Sequence, residues 1–306
     1  MTSPAASGRL GVMIDRSTPP EQLIPLCRAL DALGSVDDVW VVEDLSWGGA
    51  IAAAATALAV TQRLHVGIGI VPAPLRNPAL LAMELATLGG LHPGRVTAGI
   101  GHGVQAWMRE VGAAVPSPLT LLAETFTVVR GLLAGERVRL AGRSVHIEDL
   151  TLVHPPHTPI RLLAGVTGPK SLRLSGEIAD GTILAEGTGP TEIAAARTLI
   201  DAGRTGLSPG PARGDGDHRI VVLAYVLIDD NPAAAADRTR QARVDVAGPL
   251  GVDPDDIFVL QGSVGEVLGG LQALWEAGAD TVVVRPIGDA VPQVAALDAA
   301  LAVTRA

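Results

Sequence analysis

A single (β/α)₈ barrel, an α/β fold closed on itself, is what this sequence of 306 residues predicts, and three observations predict it. Short β-branched runs alternate eight times with longer Ala- and Leu-rich segments, the pattern of parallel strands covered by helices. The length suits one closed barrel with insertions at its C-terminal mouth, so residues 1–306 are read as one domain. Apolar residues make up 48% of the chain and aromatic ones 2%, so the core must be packed from Ala, Val, Leu and Ile.

Residues 10–14 read as the first strand, ending at Asp15, and 20–33 as the first helix, with Pro20 in the first turn where a missing N–H is no loss. Cys27 reads as a small core residue of that helix. Residues 39–42 form strand two, ending at Glu43 and Asp44, and 49–60 helix two. Strand three is 64–70, helix three 78–88 and strand four 96–100, each pair separated by turn residues. Helix four spans 118–133, a hairpin insertion 137–147 turns at Ala141-Gly142, and strand five is 160–164. Helix five (169–178), strand six (181–184) and helix six (191–202) follow, then a polar Gly-rich linker over 203–217. Strand seven is 220–228, residues 232–243 are helical, and 247–261 read as an irregular insertion over the mouth. Residues 264–277 and 281–284 complete the barrel, and 291–303 form a terminal helix.

The formal charge of −9 opposes an electrostatic grip on nucleic acid or anionic lipid, so neither is an expected partner. With Cys27 as the only cysteine there is no intrachain disulfide and no cysteine-based metal cluster. The longest apolar stretch, 50–60, falls short of the roughly 18 residues of a membrane span, and residues 1–8 lack a signal-peptide pattern, so a cytoplasmic protein is expected. No metal site is expected either, because His154-Pro155-Pro156-His157 is a rigid extended linker rather than a ligand pair on a helix.

In such a barrel, chemistry sits at the C-terminal ends of the strands. The clearest signal there is Gly165-Val166-Thr167-Gly168-Pro169-Lys170-Ser171, between strand five and helix five. Its glycines admit a close anion, Thr167 offers a hydroxyl, Pro169 fits the first helical turn, and Lys170, the chain's only lysine, adds a positive charge. The same residues also suit an ordinary capped βα turn. They are not a nucleotide-hydrolysing phosphate loop, whose glycine, lysine and Ser/Thr spacing is not met. Asp44 is a candidate acid/base group and His102 a candidate proton or hydrogen-bond donor, with Trp47 as a wall or a packing residue. Arg285, after the last strand, suits either a substrate anion or a salt bridge.

Three stretches resemble the bacterial-luciferase-like flavin/deazaflavin oxidoreductase superfamily, most closely its methylenetetrahydromethanopterin reductase-like branch. They are Val39 through Asp44; Val66-Gly67-Ile68-Gly69-Ile70 through Asn77-Pro78, with Gly94-Arg95 and Gly99-Ile100-Gly101-His102-Gly103; and Gly165 through Lys170 with Ala179-Asp180-Gly181. The resemblance implies a barrel, usually a homodimer, holding coenzyme F420 or alternatively FMN at the strand ends. It implies a bulge with a non-prolyl cis peptide at Gly69-Ile70, and Thr167, Gly168, Pro169 and Lys170 on the cofactor phosphate. It further implies Gly69, Ile70 and Val71 behind the ring, Asp15 and Gly101 as cofactor contacts, and Asp44 and His102 beside the ring as the catalytic pair. Two departures stand out: Asp44 occupies a place where histidine is commoner, and Val104 stands where the family's sugar-phosphate dehydrogenases place a glutamate acid. Three activities follow as expectations: hydride transfer between the deazaflavin and a small organic substrate, oxygenation by FMN reduced by a partner reductase, or cofactor binding without catalysis.

Overall fold

The computed structural model describes residues 8–205 and 218–305. The first half runs β1 (Arg9–Met13), α1 (Pro20–Asp31), β2 (Asp38–Val41), α2 (Ala50–Val60), β3 (His65–Pro72), α3 (Pro78–Leu91), β4 (Val96–Gly101), α4 (Gln105–Glu110) and α5 (Pro118–Leu133). A hairpin of β5 (Val138–Ala141) and β6 (His146–Leu150) leads to β7 (Arg161–Gly165), α6 (Pro169–Ile178), β8 (Gly181–Leu184) and α7 (Pro190–Arg204). The chain closes through β9 (Arg219–Ile228), α8 (Pro232–Leu250), β10 (Leu260–Gly262), α9 (Val264–Glu276), β11 (Thr281–Pro286) and α10 (Ala290–Arg305).

Eight strands pair in parallel around a closed ring, β1-β2-β3-β4-β7-β8-β9-β11 and back to β1. Alternation along each strand sorts the core into two layers. Outward residues such as Val12, Val39, Ile68, Val222 and Val284 join the helices in the main cluster. Inward residues Met13, Trp40, Leu163, Ile183, Val221, Leu223 and Val283 fill the barrel itself. With so few rings available, one indole plugs the interior, and the flanking strands yield space for it: a Cβ on Gly67 would lie 2.3 Å from the Trp40 ring and one on Gly69 3.1 Å.

The expected barrel is therefore present, with Cys27 fully buried in α1 as read. Two differences have physical causes. Residues 247–261 are not irregular throughout: α8 continues to Leu250, and Gly251 closes it in the left-handed region (φ 67°), its N–H donating to the Ala247 carbonyl at 2.8 Å. Beyond it, β10 pairs with the upper end of β9, Val226 to Ile228, on the side that β8 has already left. The hairpin turns over residues 142–145, where the Glu124 carboxylate accepts the N–H groups of Arg143, Ser144 and Val145. Of the linker at 203–217, residues 203–205 lie at the end of α7 and the remainder lies outside the described residues.

Among the described residues no helix is long and apolar enough to cross a membrane. At the foot of the barrel, buried His218 places Nε2 2.8 Å from Thr182 Oγ1, which lies 2.6 Å from Ser175 Oγ. Burial, and then the nearby Arg204 and Arg197, pull the His218 pKa down to about 4. The unfolded chain, near 6.5, takes up a proton that the folded chain refuses. Stability is full above pH 6.5 and falls as the pH drops through this window toward 4, by roughly 3 kcal/mol in total from this group. Urea unfolding between pH 7.5 and 4 should show that loss in the wild type and a much flatter dependence in His218→Gln; equal slopes would remove His218 as the cause.

Candidate active site

Strand β3 carries a bulge at its upper end. Ile68 pairs with Ala98 and Val71 with Ile100, so Gly69 and Ile70 together face the single residue Gly99; the Gly69-Ile70 peptide is cis, as the family resemblance implies. The Ile70 side chain enters the barrel and rests on three glycines of β4 and β7. A Cβ on Gly99, Gly101 or Gly165 would stand 3.0, 3.0 and 2.2 Å from Ile70 carbons, and one on Gly99 also 2.4 Å from Ile183 Cδ1. Above this layer lies a cavity of about 300 Å³, at the lower end of the range for small-molecule sites. Gly69, Ile70, Ile183 and Leu223 line its depth, and Asp44, His102, Val104, Trp107, Thr167 and Glu186 are among the residues toward its edge.

Thr167 continues directly into the glycine-rich turn before α6. Gly168 is the N-cap with φ +79°, Pro169 occupies the first turn, and no side chain caps the helix. The first intrahelical bond is Leu172 N–H to the Gly168 carbonyl at 3.0 Å, so the N–H groups of Lys170 and Ser171 precede the helical ladder. Thr167, Gly168, Pro169 and Lys170 are all exposed at this turn. His102 ties the loop after β4 to it, with Nε2 3.1 Å from Ser171 Oγ. Burial lowers the His102 pKa, the Pro118 backbone opposing it more weakly, so the imidazole is neutral at pH 7.

The neighbouring carboxylates at the end of β2 have different tasks. Glu43 binds the Arg76 guanidinium through both oxygens (3.2 and 2.7 Å) and accepts the Ala50 N–H at the start of α2, while Arg76 also holds Glu84 at 2.9 Å. That is a clamp between the loops after β2 and β3. Asp44 receives Arg16 Nη1 at 2.8 Å, and Arg16 stacks over Trp47 at 5.6 Å. Asp44 and His102 therefore border one cavity, with Gly69, Ile70 and Thr167. Gly101 is buried behind Ile70. Val71 points away into the helix-facing core and is fully buried there, because the bulge ends just before it.

Asp15 lies across a partition. Arg285 donates to Asp15 at 2.7 Å and to Glu186 at 2.9 Å and stacks over Tyr225 at 4.9 Å. Glu186 faces the cavity, whereas Asp15, Tyr225 and Arg285 face an adjoining cleft of about 920 Å³ between α1 and α8. Burial pushes the Asp15 carboxyl up, but hydrogen bonds from Ser17 and the Arg285 charge outweigh it and hold the pKa below the usual range. Burial likewise opposes the Arg285 charge, and Glu186, Tyr225 and Asp15 overcome it, raising its pKa. Sequence reasoning missed Glu186, Tyr225, Trp107 and Leu223. Period-two alternation along β9 would have found Leu223 and Tyr225, and the strand-end rule Glu186; the six-residue α4 that carries Trp107 is too short to show a helical period.

The family model for luciferase-like monooxygenases matches residues 4–275. The chain is 33% identical over 205 residues to an F420-dependent glucose-6-phosphate dehydrogenase of Beutenbergia cavernae, covering 64% of this chain and 57% of that protein. It is 29% identical over 251 residues to a 5,10-methylenetetrahydromethanopterin reductase of Methanolobus tindarius, covering 77% and 74%. The fold superimposes on the coenzyme F420 dependent tetrahydromethanopterin reductase of Methanopyrus kandleri with a TM-score of 0.83 at 18% identity, over 96% of this chain and 98% of that one.

The seat of Ile70 generates a direct test. In Gly165→Ala the new methyl meets a β-branched side chain that is stiff at χ1, and the substitution should cost about 1–3 kcal/mol in urea unfolding. Combining it with Ile70→Ala should recover most of that cost. Simple additivity of the two changes would show that the contact does not set the cavity wall.

Proposed function

We propose that this chain, which belongs to the luciferase-like monooxygenase family, is an oxidoreductase that holds the deazaflavin coenzyme F420 at its barrel mouth and transfers a hydride between it and a small organic substrate. One observation carries the reading: an uncapped helix start bearing the chain's only lysine opens directly onto an apolar cavity backed by Ile70. Two of the relatives above, an F420-dependent dehydrogenase and a coenzyme F420 dependent reductase, support the choice of cofactor.

The residues present fit the coenzyme. At Gly168 the position of a Cβ is open space, so a phosphate can approach the backbone there. Thr167, Gly168 and Lys170 would hold that phosphate by hydroxyl, N–H and ammonium. Gly69 and Ile70 would back the ring. When bound, the coenzyme supplies or accepts the hydride at its ring carbon. The protein supplies orientation and exclusion of water: Val104 and Trp107 wall the cavity, Asp44, steadied by Arg16, presents an acceptor for a substrate hydroxyl, and neutral His102 lines the opposite edge. Val104 stands where the sugar-phosphate dehydrogenases carry an acid, which argues for a substrate of another kind.

Titration with the deazaflavin coenzyme and with FMN, followed by cofactor fluorescence, tests this. Micromolar binding of the deazaflavin, weak binding of FMN and a loss of roughly 1–3 kcal/mol in Lys170→Ala are expected. Preference for FMN moves the chain to the oxygenase reading with a partner reductase, and binding of neither ends the assignment of the phosphate turn.

The proposal includes a homodimer as the working form. Helix α2 carries no charged residue, and on α3 the sole charge, Glu84, is turned to Arg76, leaving Leu80, Met83 and Leu91 exposed on one face (47, 54 and 70%). Light scattering should give twice the chain mass, and Met83→Glu should give the monomer; a monomeric wild type would refute the dimer.

A further inference from the structure

The mouth of the barrel has a charge pattern that bears on what the enzyme reduces or oxidises. Six carboxylates and two guanidiniums line the cavity and the adjoining cleft, and two of the six, Glu43 and Asp44, are already paired with Arg76 and Arg16 beside them, so the negative surplus lies on the cleft side. Both guanidiniums are already engaged. Arg285 sits between Asp15 and Glu186, and Arg238 donates to Asp229 at 3.1 Å. Of the remaining acids, Asp245 accepts only a neutral amide, from Gln241 at 2.7 Å, and Asp289 a backbone N–H, from Val291 at 3.3 Å. Among the described residues, no guanidinium facing either space is without a carboxylate partner.

An anion entering the cleft must therefore do one of two things. It can take Arg285 from two carboxylates, leaving both without a counter-charge in a partly desolvated place, or it can lie unpaired beside surplus negative charge. A neutral molecule does neither. In the cleft it meets uncharged hydrogen-bonding groups at Ser17, Thr18 and Gln22, and on the cavity side of Arg285 the apolar walls at Ile183 and Leu223.

Resting on the oxidoreductase reading above, we infer that the substrate is an uncharged alcohol, carbonyl or similarly neutral compound, not a phosphorylated or carboxylated one, and that Glu186 and Asp15 set this specificity by occupying Arg285. For an alcohol, the hydride of its C–H bond would pass to the bound coenzyme and the O–H proton to the Asp44 carboxylate as C=O forms; reduction of a carbonyl would run the same exchange in reverse.

The experiment is calorimetric titration of the full chain with inorganic phosphate, on wild type, Lys170→Ala, Arg285→Gln, Glu186→Gln and the double variant Glu186→Gln/Arg285→Gln. Binding that depends on Lys170 reports the phosphate turn, and binding that depends on Arg285 reports the substrate side, so the two readings fail separately. Wild type should show no Arg285-dependent phosphate binding, whether or not the turn binds. Near-isosteric Glu186→Gln should gain such binding, at least about tenfold over wild type, and the double variant should lose it. Glucose 6-phosphate as the probe should behave in the same way. Wild-type binding of either probe that Arg285→Gln weakens about tenfold would overturn the proposal, as would a Glu186→Gln protein that folds but gains nothing.

Discussion

Everything at the upper end of this barrel depends on where Ile70 goes. A strand in simple register would place successive side chains alternately inward and outward, and the space above Trp40 would be closed by whatever faced inward. The bulge at Gly69 and Ile70 breaks that alternation, and the Ile70 side chain lies flat against Gly99, Gly101 and Gly165. Glycine is favoured at Gly165 by close approach alone, since a methyl there would displace the Ile70 side chain. The outcome is a wall made of one isoleucine and three bare backbones, with a cavity above it that the strands themselves do not fill.

Around that cavity the loops are fastened by ion pairs that reach from one strand end to another. Arg16 joins the β1 loop to Asp44 after β2, Arg76 joins the β3 loop to Glu43, and Arg285 joins the end of β11 to Asp15 and Glu186. Each commits a cation to geometry, so these guanidiniums hold the loops in place around the mouth. The turn between β7 and α6 is built differently: its first-turn N–H groups and the Lys170 side chain stand at the surface, and among the described residues Lys170 joins no ion pair. The mouth thus has one end that exposes helix N–H groups and a lysine and another whose guanidiniums are paired with carboxylates.

Much of this was legible in the sequence. The strand and helix alternation and the prolines at first turns located the barrel, the family resemblance implied the bulge, and α5, α6 and β8 begin and end where residues 118–133, 169–178 and 181–184 suggest. What could not be read was pairing at long range. Asp44 reads as a lone carboxylate until Arg16, 28 positions earlier, is brought against it, and the choice for Arg285 between a substrate anion and a salt bridge is decided only when Asp15, 270 positions away, is found beside it. Val71 follows Ile70 directly, and only the register of the bulge reveals that it belongs to the other core layer.

The central claim is that a ring binds against the Ile70 wall. Methyl NMR of isoleucine-labelled protein, recorded before and after saturation with the deazaflavin coenzyme, tests it most directly. Ring-current shifts should appear at the Cδ1 methyls of Ile70 and Ile183, which line the cavity, while Ile100, buried in the helix-facing layer, stays in place. Shifts that spare Ile70 and Ile183 under saturating coenzyme would place the ring elsewhere and contradict the account.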